Sequence, residues 1–428
     1  MPEPAFDAFR YAHEHRSEVA WLSQNTNHLV PPEVVQPAMI AAIRERLYEG
    51  YPLASGQIGL KELVLADLDA PLAQKVAVAL PGSRAKGVGL DAGDAAGVAA
   101  LVKGADVLVN ATIPRFNSTL MTAAREGHVA YIDLASASSD PFVDDAKWKA
   151  AGVPAIIGMG EDPGLSNVFA RYGADQMDSV DAIRIRDGDT ASSPEFPFIC
   201  LFSPETFIGE TLNSSRIWKN GAYTVVPPFG GFENYRFPAP VGTQPVYEVD
   251  HEEVDTLPRF IGKGVQYVDF KLALDDRTVR ILQTFQDLQI FGTDRPDRVA
   301  ARKALLNVIP KPADLTGKVE GSAALVVEVD GLKEGAPHRL RLSTLISHPD
   351  AARKYGATGT AYLTGTGGAV GALLLATGRV RAPGMHSPET LDPTPFLPLL
   401  AERGVALHEE LLAGKPPAPA RAGKPKKR

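Results

Sequence analysis

The chain has 428 residues, of which 44% are hydrophobic and 22% charged, and its formal net charge at pH 7 is −7. This length and composition are typical of a soluble protein of about two to three domains, and the negative charge excludes the broad basic surface of a nucleic-acid-binding protein. The single cysteine, Cys200, excludes an intramolecular disulfide and a cysteine-cluster metal site, and it indicates a reducing cytoplasm.

Residues 19–157 predict alternating strands and helices. The predicted strands lie at 19–23, 63–66, 88–90, 107–109 and 131–133, and the helices at 33–49, 70–80, 95–103 and 118–126. Since the strands are apolar and no hairpin signal joins them, we predict a parallel sheet covered by helices. Right-handed crossovers would make it a Rossmann-like α/β sheet, with a ligand edge beyond the carboxyl ends of its strands.

Polar side chains follow the predicted strands at this edge. Asp67 and Asp69 end one strand, where NAD-binding sheets supply a carboxylate to the adenosine ribose, so the sequence favours NAD over NADP. Either residue could equally cap the following helix. Residues after the strand at 107–109 could contact a nicotinamide ribose, although Asn117 could instead cap a helix. The candidate cofactor-binding residues are Asp67, Asp69, Asp91, Asn110, Thr112 and Asn117.

The front of this sheet lacks the expected phosphate-binding turn. A Rossmann fold needs glycines between its first strand and first helix, because the cofactor pyrophosphate lies against bare backbone at a helix N-terminus. Here that loop, residues 24–32, contains no glycine, and Gly56 and Gly59 lie too close to Glu62 for an intervening helix. Asn and Thr side chains in the loop could supply donors instead. We predict weaker dinucleotide binding than in proteins that have the glycine loop.

The same N-terminal segment resembles a different class of protein. LSQNTNHLVPPEVVQPAMIAAI followed by YPLASGQIGLKELV is similar to the N-terminal arm of fold-type I, pyridoxal-phosphate-dependent aminotransferases, over residues 21–67. Nothing later in the chain resembles the aminotransferase cofactor domain, so no Schiff-base lysine can be assigned. The segment either replaces the first strand and glycine loop or imitates them.

Residues 156–188 join a strand, an acidic turn and a helix. An apolar run is followed by GMGEDPG, whose small residues let a ligand approach backbone N–H groups. Ser166 and Asn167 could cap the helix or point inward. Residues 181–186 alternate apolar and charged side chains, as a half-buried strand does, and Asp187-Gly188 is predicted to turn it. An ordinary strand-turn-helix unit would have the same pattern.

The second half of the chain predicts aromatic and proline-rich strands, followed by a small-residue helix from about Thr360 to Ala376. Cys200 is predicted to be a buried strand residue rather than a nucleophile. The helix permits close packing, but the apolar segment at 367–378 is far shorter than the ~20 residues that a membrane span needs. The predicted strands lie at 196–202, 223–229, 245–254, 322–331 and 338–346, with turns at Asn220-Gly221, Gly230-Gly231 and Asp330-Gly331.

Seven motifs stand in a fixed order along most of the chain. They are ELVLADLD (62–69), LDAGD (90–94), DVLVNAT (106–112), YIDLA (131–135), GEDPGLSN (160–167), FSPET (202–206) and HEEVDTLPRF (251–260). In this order they resemble the saccharopine dehydrogenase-like oxidoreductases, from about residue 62 to 410. The resemblance implies an NAD(P)-dependent reaction at a carbon–nitrogen bond of an amino acid or polyamine, by a homodimer without membrane or nucleic-acid partners.

The resemblance also implies a division of the chain. A Rossmann-like dinucleotide-binding domain would carry an inserted α+β substrate and dimerisation domain, and the helix near Thr360 would return to the first domain. The expected parts are an atypical N-terminal segment at 1–60, the dinucleotide-binding domain at 61–162, the α+β domain at 163–345, the return at 346–410 and a disordered basic tail at 411–428.

Candidates for substrate chemistry lie in two of these motifs. His251 suits proton transfer to or from a substrate nitrogen because its ordinary pKa is near neutrality, and Glu253 could orient it or bind a substrate ammonium. Arg259 matches the family position for a substrate-carboxylate clamp, for which a planar guanidinium is suited. A structural histidine and a solvated arginine are the alternatives. The resemblance also implies substrate-binding roles for Asp162, Asn167 and Thr256.

No metal-ligand spacing is seen among His, Cys and carboxylate residues, so no metal is predicted. Two rival classes remain. One is a non-catalytic dimeric relative that has lost its cofactor loop, and the other is a pyridoxal-phosphate enzyme, for which the required domain is missing.

Overall fold

The computed structural model describes residues 18–23, 62–80, 85–136, 140–291 and 296–413, and at 18–23 it describes the backbone alone. Several predictions fall outside these residues: the glycine-free loop at 24–32, the helix at 33–49, Gly56 and Gly59, and the tail beyond residue 413. Most of the segment that resembles aminotransferases also lies outside them.

The first part of the chain forms a parallel sheet. Its strands are β1 (Glu18–Ser23), β2 (Glu62–Asp67), β3 (Ala85–Gly89), β4 (Val107–Ala111), β5 (Ala130–Asp133), β6 (Pro154–Ile156) and, from much later in the chain, β15 (Gly384–His386). They form a seven-stranded sheet of order β15-β6-β5-β4-β1-β2-β3 in which all neighbours are parallel. This is the Rossmann strand order with one added strand, so the predicted α/β class is confirmed.

Helices cross over between these strands. They are α1 (Ala70–Ala79), α2 (Ala95–Val102), α3 (Asn117–Glu126) and α4 (Asp145–Ala151). Asp69 caps α1 by accepting from the Leu72 N–H, and Asp94 caps α2 through the Gly97 N–H. β1 pairs with β2 and β4 at the sheet centre, so the parallel sheet begins well before the boundary predicted at residue 61.

The middle of the chain forms a second, mixed sheet. Its strands are β7 (Ser179–Asp189), β8 (Ser215–Lys219), β9 (Ala222–Val226), β10 (Glu233–Arg236), β11 (Thr243–Glu248), β12 (Tyr267–Ala273), β13 (Ser322–Lys333), β14 (Ala336–Ser347) and β16 (His408–Ala413). Seven of the nine strands follow the order β10-β11-β12-β7-β13-β14-β16, and the β8–β9 hairpin branches from β12. Along β7 the side chains alternate as predicted, because Ile183 and Ile185 enter the main core while Arg184 and Arg186 point to the other face.

The remaining helices pack on and between the two sheets. They are α5 (Leu165–Asp175), α6 (Pro204–Leu212), α7 (Glu253–Phe260), α8 (Asp276–Asp287), α9 (Pro296–Val308), α10 (His348–Tyr355), α11 (Gly359–Ala376) and α12 (Pro393–Glu402). One hydrophobic core runs from Ile132 of the first sheet through Leu165 and Phe169 of α5 to Ile185 of the second. No helix in the described ranges is both long and apolar enough to cross a bilayer.

The small residues of α11 let it approach the first sheet closely, as predicted. A Cβ on Gly367 would lie 2.2 Å from the carbonyl oxygen of Gly160, and a Cβ on Gly371 would lie 2.6 Å from Ile132 Cδ1. Both glycines therefore bring the helix against the strand-end loop that begins the GEDPG turn. The end of the chain returns to both sheets, because β15 pairs with β6 and β16 pairs with β14.

Four glycine-containing dipeptides had been predicted as turns. Asn220-Gly221 turns the chain between β8 and β9, and Gly230-Gly231 lies in the connection between β9 and β10, where the Gly230 N–H donates to the Pro227 oxygen. Asp187-Gly188 lies inside β7, where a Cβ on Gly188 would be 2.4 Å from the Phe237 ring. Asp330-Gly331 lies inside β13, where a Cβ on Gly331 would be 2.0 Å from the Ser179 oxygen. These two glycines permit close approach of neighbouring groups, which a sequence pattern does not distinguish from a turn.

The predicted strand limits also need correction. Residues 196–202 form no strand. Their rings pack instead on Phe207 of α6, with Phe202 at 5.7 Å between centroids. The strand predicted at 245–254 ends at Glu248, and Glu253 begins α7. The β13–β14 turn lies at Glu334-Gly335, where both residues have positive φ angles. Residues 411–413, predicted to be disordered, belong to β16.

Candidate active site

His251 and Glu253 form a close pair where β11 leads into α7. His251 Nδ1 lies 2.5 Å from Glu253 Oε2, and the imidazole stacks on the Phe270 ring with centroids 3.8 Å apart. Glu253 is fully buried, and its Oε1 accepts a 2.6 Å hydrogen bond from the Ser166 hydroxyl. The carboxylate thus fixes the ring, as predicted for one of its two proposed roles. The carboxylate raises the pKa of His251 well above its usual value, against the effect of burial.

The GEDPG turn places Ser166 for this contact. Gly164 has φ +137°, and a Cβ there would lie 2.1 Å from the Gly160 oxygen, so the turn requires glycine. The Gly164 N–H donates to Asn167 Oδ1 at 2.9 Å, which starts α5. Ser166 then sits on the first helical turn, where its hydroxyl reaches the buried Glu253 carboxylate.

Asn167 and Thr256 contact each other rather than an open site. Asn167 Nδ2 donates to Thr256 Oγ1 at 3.2 Å and to Glu389 Oε2 at 3.0 Å. Glu389 is fully buried and also accepts from the Ser387 hydroxyl. The substrate-binding roles of Asn167 and Thr256 stay predictions, because the structure uses their polar groups to join α5, α7 and the C-terminal segment. Glu389 had no sequence signal, since it lies far from the other motifs in the chain.

Carboxylates surround His251 on the cleft side. Asp162, Asp187, Glu210 and Glu252 remain partly exposed, yet burial raises the pKa of each, to about 7 for Asp187 and about 8 for Glu210. Because these carboxyl groups are partly exposed and yet desolvated, we interpret them as the lining of a recess beside His251, which we term the acidic cleft. Only Asp162 of these four had been predicted. Asp187 was interpreted as a turn residue, and Glu210 lies in α6 with no motif around it.

The acidic cleft has little compensating positive charge. Within the described part of the chain, no Lys or Arg forms an ion pair with Asp162, Asp187 or Glu210. His251 is the cation that lowers the pKa of all three groups, although burial and neighbouring carboxylates outweigh it. The cleft therefore carries an excess of negative charge that a cationic ligand would neutralise.

The cofactor candidates lie at the carboxyl ends of the parallel strands. Asp67 is buried at the end of β2, where its Oδ1 accepts from the Asp69 N–H at 2.8 Å, while the exposed Asp69 caps α1. Asp91 is exposed after β3 and accepts from the Gly93 N–H. These positions lie at the strand ends where the adenosine half of a dinucleotide would bind. Asp69 has the capping role that was the alternative, and the ribose-binding role of Asp67 stays a prediction.

Asn110, Thr112 and Asn117 form one hydrogen-bonded network. Asn110 Oδ1 accepts from the Thr112 N–H and hydroxyl, and its Nδ2 donates to Asn117 Oδ1 and to the Tyr131 hydroxyl, each at 2.8 Å. Asn117 is not the N-cap of α3, since it is already its first helical residue. Its Nδ2 instead donates to the Ala135 oxygen at 3.0 Å. The network rigidifies the strand ends where a nicotinamide would lie.

Asp133 at the end of β5 completes this network and had not been predicted. Its Oδ1 accepts from the Gly158 N–H at 2.6 Å, and Oδ2 accepts from the Tyr131 hydroxyl at 3.0 Å. Burial raises the pKa of Asp133 to about 7, although these hydrogen bonds lower it. The YIDLA motif places a carboxylate at a strand end, which could have indicated a site residue. The motif does not show which residues lie near Asp133 in space.

Arg259 lies in the last turn of α7. Its side chain is 51% exposed, its Nη1 donates to Asp140 Oδ1 at 3.1 Å, and its guanidinium lies over the Phe142 and Phe260 rings. Its Nε and Nη2 have no protein acceptor among the described residues. This edge of the guanidinium can therefore make a side-on contact with a ligand carboxylate. The clamp role stays a prediction.

Two further sequence predictions can be placed. Cys200 is buried as expected, and burial raises the pKa of its thiol, but it lies in a loop rather than a strand. The sequence showed no cluster at metal-ligand spacing, yet the structure brings ligand atoms of His251, Glu252 and Glu253 within 4.8 Å of one another. We interpret the trio as part of the acidic cleft, because His251 Nδ1 and Glu253 are already hydrogen-bonded to each other.

Two family models match nearly all of the chain beyond residue 50. The saccharopine dehydrogenase C-terminal domain matches residues 160–405, and the saccharopine dehydrogenase NADP-binding domain matches residues 51–156. The chain belongs to the saccharopine dehydrogenase family. This saccharopine dehydrogenase family member is an oxidoreductase that uses NAD(P), and the polar strand ends with the buried Asp67 fit that cofactor.

Curated relatives cover most of the chain. Carboxyaminopropylagmatine dehydrogenase from Synechocystis sp. is 25% identical over 367 residues, covering 81% of this chain and 91% of that protein. Carboxynorspermidine synthase from Vibrio alginolyticus is 27% identical over 352 residues, covering 76% and 83%. Each relative thus spans both sheets of this saccharopine dehydrogenase family member.

Solved structures share the fold at lower identity. Saccharopine dehydrogenase (L-Glu forming) from Saccharomyces cerevisiae has a TM-score of 0.68 at 15% identity. The match covers 93% of this chain and 100% of the yeast enzyme. Homospermidine synthase from Legionella pneumophila, in complex with NAD, has a TM-score of 0.64 at 14% identity, covering 97% and 95%. At these identities the likeness establishes the fold of this family member and nothing finer.

Proposed function

We propose that the protein catalyses NAD(P)-dependent interconversion of an imine and a secondary amine in a carboxylated polyamine. One observation carries this proposal: the partly exposed carboxyl groups of Asp162, Asp187 and Glu210 lie close enough to His251 for its charge to lower their pKa values, and they form no ion pair with Lys or Arg in the described residues. The names of the relatives agree, since carboxynorspermidine and carboxyaminopropylagmatine are polyamines that bear a carboxylate.

Electrostatics explain why a polyamine suits this cleft. A partly desolvated carboxylate is costly unless a positive charge lies near it, and the raised pKa values of Asp187 and Glu210 express that cost. Ammonium groups of a substrate would lower both pKa values and ionise the carboxyl groups. An amino acid with a single ammonium group and a carboxylate would gain less, because its own negative charge would face the same acids.

His251 is the proton carrier in this proposal. When bound, NAD(P) supplies or accepts the hydride at the carbon that bears the substrate nitrogen. Reduction of an imine also needs a proton on nitrogen, and Glu253 keeps His251 protonated near neutral pH so that it can donate one. In the reverse direction, the neutral imidazole takes the proton from the secondary ammonium.

Arg259 is proposed to bind the substrate carboxylate through its unoccupied Nε and Nη2 edge. Thr256 and Arg259 lie on α7, the helix that begins with Glu253. Side chains of a single helix would therefore contact both the amine end and the carboxylate end of one substrate. A homodimer, implied by the family resemblance, remains part of the proposal.

The test is a rate assay with matched substrates. Purified protein is mixed with NADH or NADPH, L-aspartate 4-semialdehyde as the carboxylated aldehyde, and 1,3-diaminopropane, agmatine or L-lysine as the amine, and consumption of the reduced cofactor is followed. We expect turnover with 1,3-diaminopropane or agmatine and far less with lysine.

Asp187→Asn should raise the KM for the amine, whereas the exposed Asp350→Asn should not. Cofactor binding without turnover of any polyamine would overturn the proposal, and so would a preference for lysine.

A further inference from the structure

The acidic residue before α7 does not cap that helix. Glu252 is the N-cap residue of α7, yet its side chain makes no capping hydrogen bond. N-caps are commonly Ser, Thr, Asp or Asn, whose short side chains reach the first free N–H groups of a helix. The Glu252 side chain instead reaches the loop after β5, where its Oε1 accepts from the backbone N–H of Ser136 at 3.1 Å. This hydrogen bond joins segments that lie 116 residues apart in the chain.

The loop after β5 is held from its other side as well. Asn117 Nδ2 donates to the Ala135 oxygen at 3.0 Å, and Asn110 near the end of β4 donates to Asn117 Oδ1 at 2.8 Å. Two successive residues of the loop, Ala135 and Ser136, are therefore fixed by different parts of the chain. In this strand order the carboxyl ends of β4 and β5 border the nicotinamide half of a dinucleotide, so the loop lies beside the cofactor position.

The second carboxylate oxygen of Glu252 faces His251. Its Oε2 lies 3.8 Å from His251 Nδ1, which is already hydrogen-bonded to Glu253 at 2.5 Å. Glu252 therefore acts on the imidazole through its charge, whereas Glu253 also fixes the ring. The side chain of Glu252 is 26% exposed and that of Glu253 is 0% exposed, so a substitution at Glu252 disturbs less packing.

The charge of Glu252 acts on both sides of the site. Burial lowers the pKa of His251, but the carboxylates of Glu253, Glu210 and Glu252 raise it well above its usual value. Burial and the charge of Glu252 both raise the pKa of Asp133 at the end of β5, although hydrogen bonds lower it. Glu252 thus lies between the histidine and the strand-end network. The charged groups that face His251 are Glu252 and Glu253 at the start of α7, Glu210 of α6, Asp162 of the GEDPG turn and Asp187 of β7.

On the basis of the proposed function, we propose that Glu252 is a positioning residue that joins the cofactor side of the site to its proton-transfer side. Through Oε1 it holds the loop after β5 in the position that borders the nicotinamide. Through its charge it helps to keep His251 in the protonated state that reduction of an imine needs. A loop that is fixed before the cofactor enters loses less conformational freedom on binding, so the hydrogen bond to Ser136 favours cofactor affinity.

The two tasks have different chemical requirements. Holding Ser136 needs an oxygen that accepts a hydrogen bond, whereas acting on His251 needs a negative charge. Glu252→Gln keeps the oxygen and removes the charge, and Glu252→Ala removes both. The two substitutions therefore separate the tasks.

The test needs no substrate. The dissociation constant of NADH, or of NADPH if it binds more tightly, is measured by fluorescence titration. Protonation of His251 is followed by NMR across pH, with its signal assigned among the nine histidines by His251→Asn. In Glu252→Gln the dissociation constant should stay within about twofold of wild type while the pKa of His251 falls. In Glu252→Ala the pKa should also fall, and the dissociation constant should rise about tenfold.

The matched controls are Glu126→Gln and Glu126→Ala, at an exposed position in the last turn of α3, and they should change neither quantity. If Glu252→Ala does not fold, Glu252→Met takes its place, because it keeps more of the side-chain packing and offers no oxygen.

The positioning role would be overturned by a Glu252→Ala protein that binds the cofactor as wild type does. An unchanged pKa of His251 in Glu252→Gln, equal losses of cofactor affinity in the two variants, or a wild-type protein that binds neither cofactor would overturn it as well. Failure of the proposed function is a separate result. If the binding and NMR results are as expected but no polyamine is turned over, the role of Glu252 stands and the polyamine reaction falls.

Discussion

His251 Nδ1 lies 2.5 Å from Oε2 of Glu253, a carboxylate that is fully buried. The contact stabilises the protonated imidazole and helps to raise its pKa. In the reductive direction the rate should fall as pH rises through this raised pKa. Glu253→Gln removes the charge and keeps the shape, so the descending limb of the pH–rate profile should move to lower pH. The control is Glu410→Gln at an exposed position of β16. An unchanged limb would show that His251 is not the titrating group.

Arg259→Met should separate a carboxylate clamp from a surface arginine. The substitution keeps much of the packing on Phe142 and removes charge-assisted hydrogen bonds worth about 1.5 to 3 kcal/mol. If the bond forms equally in ground and transition states, KM should rise about tenfold to a hundredfold with kcat little changed. The measurement is steady-state kinetics with the carboxylated substrate. A folded variant whose kcat/KM stays within about twofold of wild type would eliminate the clamp.

Asp67 should control the choice between NAD and NADP. Its buried carboxylate at the end of β2 would repel a 2′-phosphate, whereas the exposed Asp69 caps a helix. Asp67→Ser should therefore shift the ratio of the NADH and NADPH dissociation constants toward NADPH by about tenfold, and Asp69→Ser should not. Fluorescence titration measures both. Equal ratios in the two variants would place the ribose elsewhere.

The acidic cleft should make the ligand-free protein less stable as pH rises. The pKa of Asp187 is raised from 3.8 to about 7 and that of Glu210 from 4.5 to about 8, so the folded protein binds more protons than the unfolded chain in that window. Stability from these groups is complete below pH about 4 and is lost as pH rises to about 8. The double substitution Asp187→Asn with Glu210→Gln should flatten the dependence of Tm on pH between about 5.5 and 8.5, a range that contains both raised pKa values. An equally steep profile would exclude these groups as its cause.

Two glycine-to-alanine substitutions in helices should have opposite effects. A Cβ on Gly367 of α11 would clash with the Gly160 oxygen at 2.2 Å, whereas a Cβ on Gly209 of α6 would have no atom within 4 Å. Gly367→Ala should destabilise the fold by about 1 to 3 kcal/mol, and Gly209→Ala should stabilise it by up to about 1 kcal/mol through helix propensity. Urea unfolding gives both values. A neutral Gly367→Ala protein would show that α11 can move away from the GEDPG turn.

The parallel sheet could be predicted because its information is local. Apolar strands such as the one ending at Asp67 alternate with helices, and right-handed crossovers leave few ways to arrange them. The same reasoning placed β1, even though the loop after it lacks glycine. It failed for Gly188 and Gly331, because a glycine that admits a neighbouring group and a glycine that turns the chain have the same sequence signature.

By itself the sequence determined the family and the fold class. It also gave the pairing of His251 with Glu253 as one of two possible roles for Glu253, because the two residues stand close together in one motif. Only the tertiary structure decided what surrounds that pair. Asp187 lies on β7 and Glu210 on α6, yet both come close enough to His251 for its charge to lower their pKa values. The physical reason is that charge effects act through a few ångströms of space, whereas motifs record only neighbours along the chain.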